Sequence, residues 1–428
     1  MTMGIAETLD YIHSVKWQGS KPGLERTREL LAALGDPEKA LSFVHIAGTN
    51  GKGSTAACIA AVLQKAGYRT GLYISPYIMR FNERMQVDGV CIPDDELVRM
   101  TDEIRPYADA MTDPPTEFEL ITALAMKHFL YKNCDIVVLE VGMGGELDST
   151  NVIDTPEAAV ITSIGFDHVK ELGPSLADIA KAKAGIIKKD GDVVVYGGEA
   201  EVCEVFEHVC AERGARLRKA DFSRIGRRDF SLERAEFEFE PYGRISLPLA
   251  GTYQPKNAAV AITTLEVLRG KGYVISDSDI VEGLAAVRWP GRFELLGRDP
   301  VFILDGTHNP QGVAATAESL RSHFGDRKIV FVVGVMADKD VDSMIGLIAP
   351  MAESFFAVRP DYYRAMDVKT LAEKLSRYSV PVFPFDDLRD GVAGAVGRAG
   401  GDGIVCAMGS LYFSGEVRQA YNIATGSR

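Results

Sequence analysis

The chain has 428 residues, 46% of them hydrophobic and 25% charged, a balance that belongs to ordinary globular proteins and excludes a disordered one. It carries 47 basic and 60 acidic residues, a net charge of -13, with the basic residues scattered, so nucleic acid is not an expected partner. No apolar run is long enough to cross a bilayer, and the opening MTMGIAETLDYIHSV lacks the basic start and apolar stretch of a secretory signal; the expectation is a cytoplasmic protein, with two domains by length.

In chain order, the short apolar, β-branched runs FVHIAGT (from Phe43), TGLYIS (from Thr70), DIVVLEVG (from Asp135), AAVITSIG (from Ala158) and DVVVYGG (from Asp192) each end in glycine or polar residues and precede helical patterns. Runs apolar on both faces suit a mostly parallel sheet covered by helices. Between about Lys219 and Pro248 charge and apolarity alternate, as expected of a hairpin or meander at a sheet edge. Helical spacing returns at NAAVAITTLEVLRGKG, and AVRWPGRFELLG (Ala286 to Gly297) interrupts it with chain breakers. We place the domain junction there, giving 1–292 and 293–428. A second series follows: VFILDGT, KIVFVVGV, SFFAVRP and GIVCAMGS. The expected fold is α/β: an N-terminal phosphate-loop ATPase domain with a mostly parallel sheet, and a smaller C-terminal Rossmann-like α/β domain.

The six cysteines (Cys58, Cys91, Cys134, Cys203, Cys210, Cys406) contain no C-x-x-C spacing and read as reduced, mostly packed thiols. Cys203, His208 and Cys210 crowd one helical stretch without a fourth ligand, which makes a poor metal site.

The motif that carries chemistry is VHIAGTNGKGST (Val44 to Thr55). An apolar strand runs through Gly48, Thr49, Asn50 and Gly51 into a helix opened by Lys52, Gly53 and Ser54. The glycines let the backbone approach a phosphate chain, amides at the helix start attract anions, and Lys52 adds a mobile positive charge. An ordinary strand-to-helix turn is the plainer alternative. In the common phosphate loop the residue after the lysine is a hydroxyl that holds Mg²⁺; here it is Gly53, so metal ligands are expected elsewhere. Three candidates stand at carboxyl ends of predicted strands, where open α/β sheets bind ligands: Ser75, Glu140 and His168. A structural histidine and a carboxylate paired with a base are the alternatives for the last two.

The blocks KPGLERTRELLAALGDPEKALSFVHIAGTNGKGST, GLYISPYIMRFNERM, LEVGMGGELDSTNVI, SIGFDHVKELG, IAKAKAGIIK, YQPKNAAVAI, WPGRFELL, LDGTHNP, GVMADKD and AMGSLYFSGEVR span nearly the whole chain. In these blocks the chain resembles folylpolyglutamate synthases and bifunctional dihydrofolate synthases of the Mur ligase superfamily. The resemblance implies an ATP-dependent, ADP-forming ligase that joins L-glutamate to the carboxylate of a folate or of dihydropteroate. It implies Mg²⁺ as cofactor, with a monovalent cation as a further candidate, and Ser75, Glu140 and His168 as metal ligands. Lys183, before AGI, would be carbamylated, and Lys181 is the near alternative.

By position, the resemblance further gives Asn257, Arg292, Asp305 and His308 to the nucleotide, with Arg292 and His308 on its phosphates and Asp305 on its ribose; as structure alone, Asp305 and His308 would cap the helix starting near Pro310. Lys52, Lys183, His168, His308 and Arg292 form the expected catalytic set. The segment after Ser75 supplies Arg80, Phe81, Asn82, Glu83 and Arg84 as a flap over the folate, with Thr116, Phe118, Glu119 and Asp148 as further pocket candidates. Asp338, Asp340 and Ser410 are candidate contacts for glutamate or for domain closure. Two positions depart from the family pattern: Glu146 stands where arginine is frequent and Tyr253 where histidine is frequent. A monomer is the simplest expectation. The alternatives are dihydrofolate synthase activity only, a Mur-type amino-acid ligase on a nucleotide-linked peptide, and, from another class, a nucleotide-hydrolysing switch.

Overall fold

Every apolar run named above forms a strand in the computed structural model, which describes residues 4–14 and 23–426. The start of the opening segment and Lys21 and Pro22 of the KPGLER stretch lie outside the described residues. The chain divides into two compact units. One comprises residues up to Ser75, then Phe81–Ser223 and Lys256–Ala286; the other comprises Pro76–Arg80, Arg224–Pro255 and the chain from Val287 onward.

The first unit is built on eight strands: β1 (Phe43–Ala47), β2 (Thr70–Tyr73), β3 (Met85–Val87), β4 (Val90–Cys91), β5 (Ile136–Glu140), β6 (Ala158–Ile161), β7 (Asp192–Val195) and β8 (Arg216–Lys219). They lie in the order β4-β3-β2-β5-β1-β6-β7-β8. From β2 to β8 all neighbours are parallel, while β3 and β4 add an antiparallel edge. β1 and β5 are buried at every position, as strands must be when helices cover both faces of a sheet. One of these faces is closed by Ile179, Ala180, Val202 and Phe206 packing on Ala47, Ile161, Val193 and Val195; each fully buried large side chain stabilises the unit by about 1.5–3 kcal/mol. Capping boxes start two helices that matter below. Thr116 with Glu119 opens Glu117–Tyr131, and Ser175 with Asp178 opens Leu176–Ala184.

The second unit carries a six-stranded sheet of β12 (Glu294–Arg298), β13 (Val301–Asp305), β14 (Ile329–Val333), β15 (Ala352–Ala357), β16 (Val382–Pro384) and β17 (Ile404–Met408), in the order β12-β13-β17-β14-β15-β16. Only β12 is antiparallel to its neighbour. Strand alternation divides its core: Ile303, Phe331 and Phe355 enter one cluster, Phe302, Leu304, Val330, Val332 and Phe356 the other. The alternating stretch expected at a sheet edge is instead a separate antiparallel meander of β9 (Ile225–Phe230), β10 (Ala235–Phe239) and β11 (Gly243–Leu247). Phe237, Phe239, Ile245 and Leu247 are buried while charged residues alternate with them, so it has an apolar side of its own to cover. All six cysteines are free thiols; Cys210 is buried, and His208 pairs on the surface with Glu212.

Candidate active site

In the first unit the site begins where β1 ends. The loop after Ala47 is stitched to the segment after β6: the N–H groups of Thr49 and Asn50 donate to Ser163 O at 2.8 and 3.3 Å, and Ser163 Oγ donates to Asn50 O at 3.2 Å. Thr49 Oγ1 lies 3.1 Å from both the O and the N of Gly165. This loop has no room for side chains at two glycines. A Cβ on Gly48, at φ 147°, would stand 1.8 Å from Thr162 Oγ1; one on Gly51, at φ 88°, would stand 2.6 Å from Asn257 Oδ1. Asn257, buried near the start of the helix Gln254–Gly270, is thereby pressed against the loop.

Two lysines converge on one carbonyl. Lys52, first residue of the helix Lys52–Lys65, donates from Nζ to Gly48 O at 3.2 Å and Thr49 O at 3.4 Å. Lys183, in the last turn of its helix and buried, donates to the same Gly48 O at 2.9 Å. Burial, reinforced by the Lys52 charge, lowers the Lys183 ammonium to about 7, against the opposing pull of Asp167 and Asp148. Gly53 and Ser54 are buried in the same first helical turn. Lys181 lies two residues before Lys183, in the last turn of the same helix.

Ser75 follows β2 and Glu140 ends the neighbouring β5, and the Ser75 N–H reaches Glu140 Oε2 at 3.4 Å. Glu140 is buried. His168 lies beyond β6, in left-handed backbone (φ 51°), its N–H donating to Asp167 Oδ1 at 2.9 Å and its Nε2 standing 3.9 Å from the same oxygen. Among the described residues no three His, Cys, Asp or Glu side chains gather as a ligand group; the expected triad takes its third donor from a serine.

The acid-pocket candidates are more dispersed. Asp148 is buried behind β5, accepting from Met143 N–H at 2.9 Å and Thr150 N–H at 3.0 Å; burial raises its carboxyl above the ordinary range, against the lowering effect of these donors. Phe118 fills the space over Gly142, where a Cβ would come within 2.6 Å of its ring. Phe81 and Arg84 stack, the guanidinium 5.7 Å from the ring centroid. Glu83 is partly exposed, and Asn82 is held by Ile92 O at 2.7 Å and Asp94 at 2.9 Å. Arg80 is exposed and belongs to the second unit with Ile78, whose carbonyl would stand 2.4 Å from a Cβ on Gly415. Glu119 and Thr116 have structural tasks: Glu119 takes both Nε and Nη2 of the buried Arg26, at 3.0 and 2.7 Å, while closing the cap of its own helix. Glu146 is exposed.

In the second unit, Asp305 closes β13 and is buried. It accepts from Thr316 Oγ1 at 2.7 Å and Thr307 N–H at 3.1 Å, and Tyr253 also bonds to it; burial raises its carboxyl despite these donors and Arg292. A Cβ on Gly306 would stand 3.2 Å from Arg292 Nη1, so the guanidinium lies close over that turn. His308 Nδ1 is 3.1 Å from Gly306 O. Neither Asp305 nor His308 caps the following helix: Asn309 does, accepting from Gly312 N–H at 2.8 Å ahead of Pro310. Asp338 lies 3.6 Å from Arg364, Asp340 caps Val341–Ile348, and Ser410 Oγ accepts from Tyr412 N–H at 3.1 Å.

Residues 46–265 match the Mur ligase middle domain, and residues 291–411 match the glutamate ligase domain of Mur ligases. A dihydrofolate synthase/folylpolyglutamate synthase of Bacillus subtilis is 37% identical over 422 residues, covering 96% of this chain and 97% of its own length. The chain belongs to the Mur ligase family. Within that family a folylpolyglutamate synthase of Lacticaseibacillus casei is 39% identical, over 80% of this chain and 82% of its own length. The Mur ligase fold is matched by a Mycobacterium tuberculosis folylpolyglutamate synthase solved with ADP and AMPPCP, at a TM-score of 0.89 and 32% identity over 97% of this chain and 98% of that one. An Escherichia coli relative solved with DHPP and ADP superposes at 0.87, with 28% identity over 99% of each chain. This Mur ligase is therefore an ATP-dependent ligase, and its α/β class, with a mostly parallel sheet in each unit, is as the strand pattern indicated. Among the described residues no helix is long and apolar enough to cross a membrane. Arg26, Asp167, Thr316 and Asn309, which tie the candidate residues in place, were not legible as site residues; only Asn309, directly before Pro310, had a signal, as an ordinary helix cap.

Proposed function

We propose that this chain joins the amine of L-glutamate to the carboxylate of a folate, forming ADP and phosphate by way of an acyl phosphate. The observation that carries the reading is the loop after β1, with two lysine side chains on the Gly48 carbonyl, in a chain that matches these synthases end to end. A carboxylate is a poor electrophile. Attack of its oxygen on the γ-phosphorus breaks the bond to the β-γ bridging oxygen and releases ADP; the glutamate amine then attacks the acyl carbon, loses a proton, and phosphate departs. Lys52 offsets charge on the triphosphate with Gly48, Thr49, Asn50, Gly51, Gly53 and Ser54 around it, and Asn257 fixes the loop. Arg292 and His308 are assigned to phosphate oxygens and Asp305 to ribose hydroxyls.

The donor set fits a hard cation. Glu140 offers a buried carboxylate beside the Ser75 backbone, Ser75 a hydroxyl and His168 an imidazole. These residues would hold Mg²⁺, which when bound neutralises phosphate oxygens; a monovalent cation is a further candidate. Lys183 suits carbamylation because its lowered ammonium leaves much neutral amine at pH 7, able to form an N–C bond with CO₂ and release a proton. Arg80, Phe81, Glu83, Arg84, Phe118 and Asp148 are assigned to the acid substrate. The bifunctional relatives support dihydropteroate as a second acid.

Purified protein given ATP should release ADP steadily only when both a pteridine acid and glutamate are present, with dihydropteroate and tetrahydrofolate assayed in parallel. ADP release indifferent to both substrates would identify a nucleotide switch and overturn the assignment.

A further inference from the structure

His45 is an anomaly of β1. It is the middle residue of an otherwise apolar strand at the centre of the sheet, with no exposed surface. Isoleucine or valine would suit such a position without an imidazole to satisfy. The ring makes one hydrogen bond, from Nε2 to Thr150 Oγ1 at 2.8 Å, while its Nδ1 is buried without a hydrogen-bond partner. Thr150 is itself fully buried, and its hydroxyl lies 2.5 Å from Asp148 Oδ1.

Proton counting fixes the direction of this chain. A threonine hydroxyl has one hydrogen, and with Asp148 a carboxylate that hydrogen goes to Oδ1. Thr150 Oγ1 must then accept from His45, so the imidazole is the neutral Nε2–H tautomer and Nδ1 keeps a bare lone pair. The opposite direction would need a protonated Asp148 and would strand a buried Nδ1–H, a worse outcome than a lone pair left empty. Burial favours the neutral ring, pushing His45 down to about 3. Asp148 consequently takes two donors on Oδ1, the N–H and hydroxyl of Thr150, and the Met143 N–H on Oδ2 at 2.9 Å, with the Gly142 backbone as a further donor to the carboxylate.

We propose that His45 and Thr150 are positioning residues that act through Asp148, locking its carboxylate as an oriented acceptor for N–H donors of the acid substrate's heterocycle. The inference rests on the assignment of Asp148 to the acid pocket. Neither residue touches substrate. Thr150 satisfies one side of Oδ1, and His45, anchored in a fully buried central strand of the sheet, keeps the Thr150 hydroxyl from rotating away. The chain runs from the core of β1 to the loop after β5, so the carboxylate that meets the acid is referenced to the same strand that ends in the phosphate loop.

Steady-state kinetics on full-length Thr150→Val, Thr150→Ser, His45→Leu, His45→Gln and Asp148→Asn, each checked for folding by thermal denaturation, test this. Thr150→Val, which keeps the shape and removes the hydroxyl, should raise KM for the pteridine acid about tenfold, the value of one hydrogen bond to a charged acceptor, with KM for ATP and kcat within about twofold of the parent. Thr150→Ser should restore the parent KM. His45→Leu should raise the same KM about threefold, and His45→Gln, whose amide can still donate to Thr150, should recover part of it. If Asp148→Asn raises KM for the acid while folded Thr150→Val and His45→Leu leave it unchanged, the relay is refuted and the pocket stands. If Asp148→Asn itself leaves that KM unchanged, the pocket assignment fails. A folded Thr150→Val that loses kcat, or raises KM for ATP and acid alike, also refutes the positioning role.

Discussion

Two strands of this molecule end in a glycine-threonine turn that feeds a helix, and the turns are finished in different ways. After β1 the helix starts from Gly51, in left-handed backbone with no side-chain cap. After β13 the helix starts from Asn309, in extended backbone, with its side chain bonded to Gly312 N–H and proline behind it. A capped helix start has given one of its donors to its own chain, whereas an uncapped one keeps its donors and its partial positive charge for an anion. The first turn thus lacks the side-chain cap that the second has. The second offers side chains, Asp305 and His308, and has given its Gly312 N–H to its own cap.

That contrast can be broken experimentally. The largest effect should come from Lys52→Ala, which removes the mobile charge at the open turn: ligation should fall on the order of 10²–10³-fold in kcat/KM with the melting temperature nearly unchanged, as expected for a group that acts on developing charge. Gly48→Ala should weaken nucleotide binding measured by calorimetry by on the order of 10–10²-fold, because its Cβ would meet Thr162 Oγ1 at 1.8 Å and the loop must shift. At the closed turn, Thr316→Val takes one donor from Asp305, and KM for ATP should rise about three- to tenfold with KM for the acid unmoved. The smallest effect belongs to Asn309→Ala: loss of the cap should cost about 1 kcal/mol of stability, a melting shift of about 2–4 °C, with kcat within about twofold of the parent. An Asn309→Ala protein that keeps its stability and loses turnover would erase the distinction between the two turns.

How much of this could be read beforehand follows from where the determinants reside. Runs apolar on both faces announce buried parallel strands, and so β1, β2, β5, β6, β7, β13, β14, β15 and β17 were legible from composition alone. The edge strands β4, β8, β12 and β16, and β3 next to the edge, were not: they are short or half-exposed, and neighbours decide their pairing more than their own side chains do. The meander was legible as a hairpin or meander, but its separation from the main sheet was not, since alternation shows which face is apolar and says nothing of what covers it. At the site, the glycine loop with its lysine is a local pattern and could be seen. The Arg26–Glu119 pair joins residues 93 apart and the His45–Thr150 bond residues 105 apart, and no local pattern encodes such a separation. Glu119 therefore read as a pocket residue when it is an internal counter-ion. His45 did carry a signal, a titratable ring in the middle of an apolar strand, but without its partner the signal had no direction.

The central claim is chemical: ATP activates the acid by accepting its carboxylate oxygen on phosphorus. It is tested most directly by running the reaction with the pteridine acid labelled with oxygen-18 in the reacting carboxylate and measuring the phosphate by mass spectrometry. One labelled oxygen should appear in inorganic phosphate for each ADP formed. Unlabelled phosphate accompanying amide formation would contradict the acyl phosphate, and with it the account of what the open turn is for.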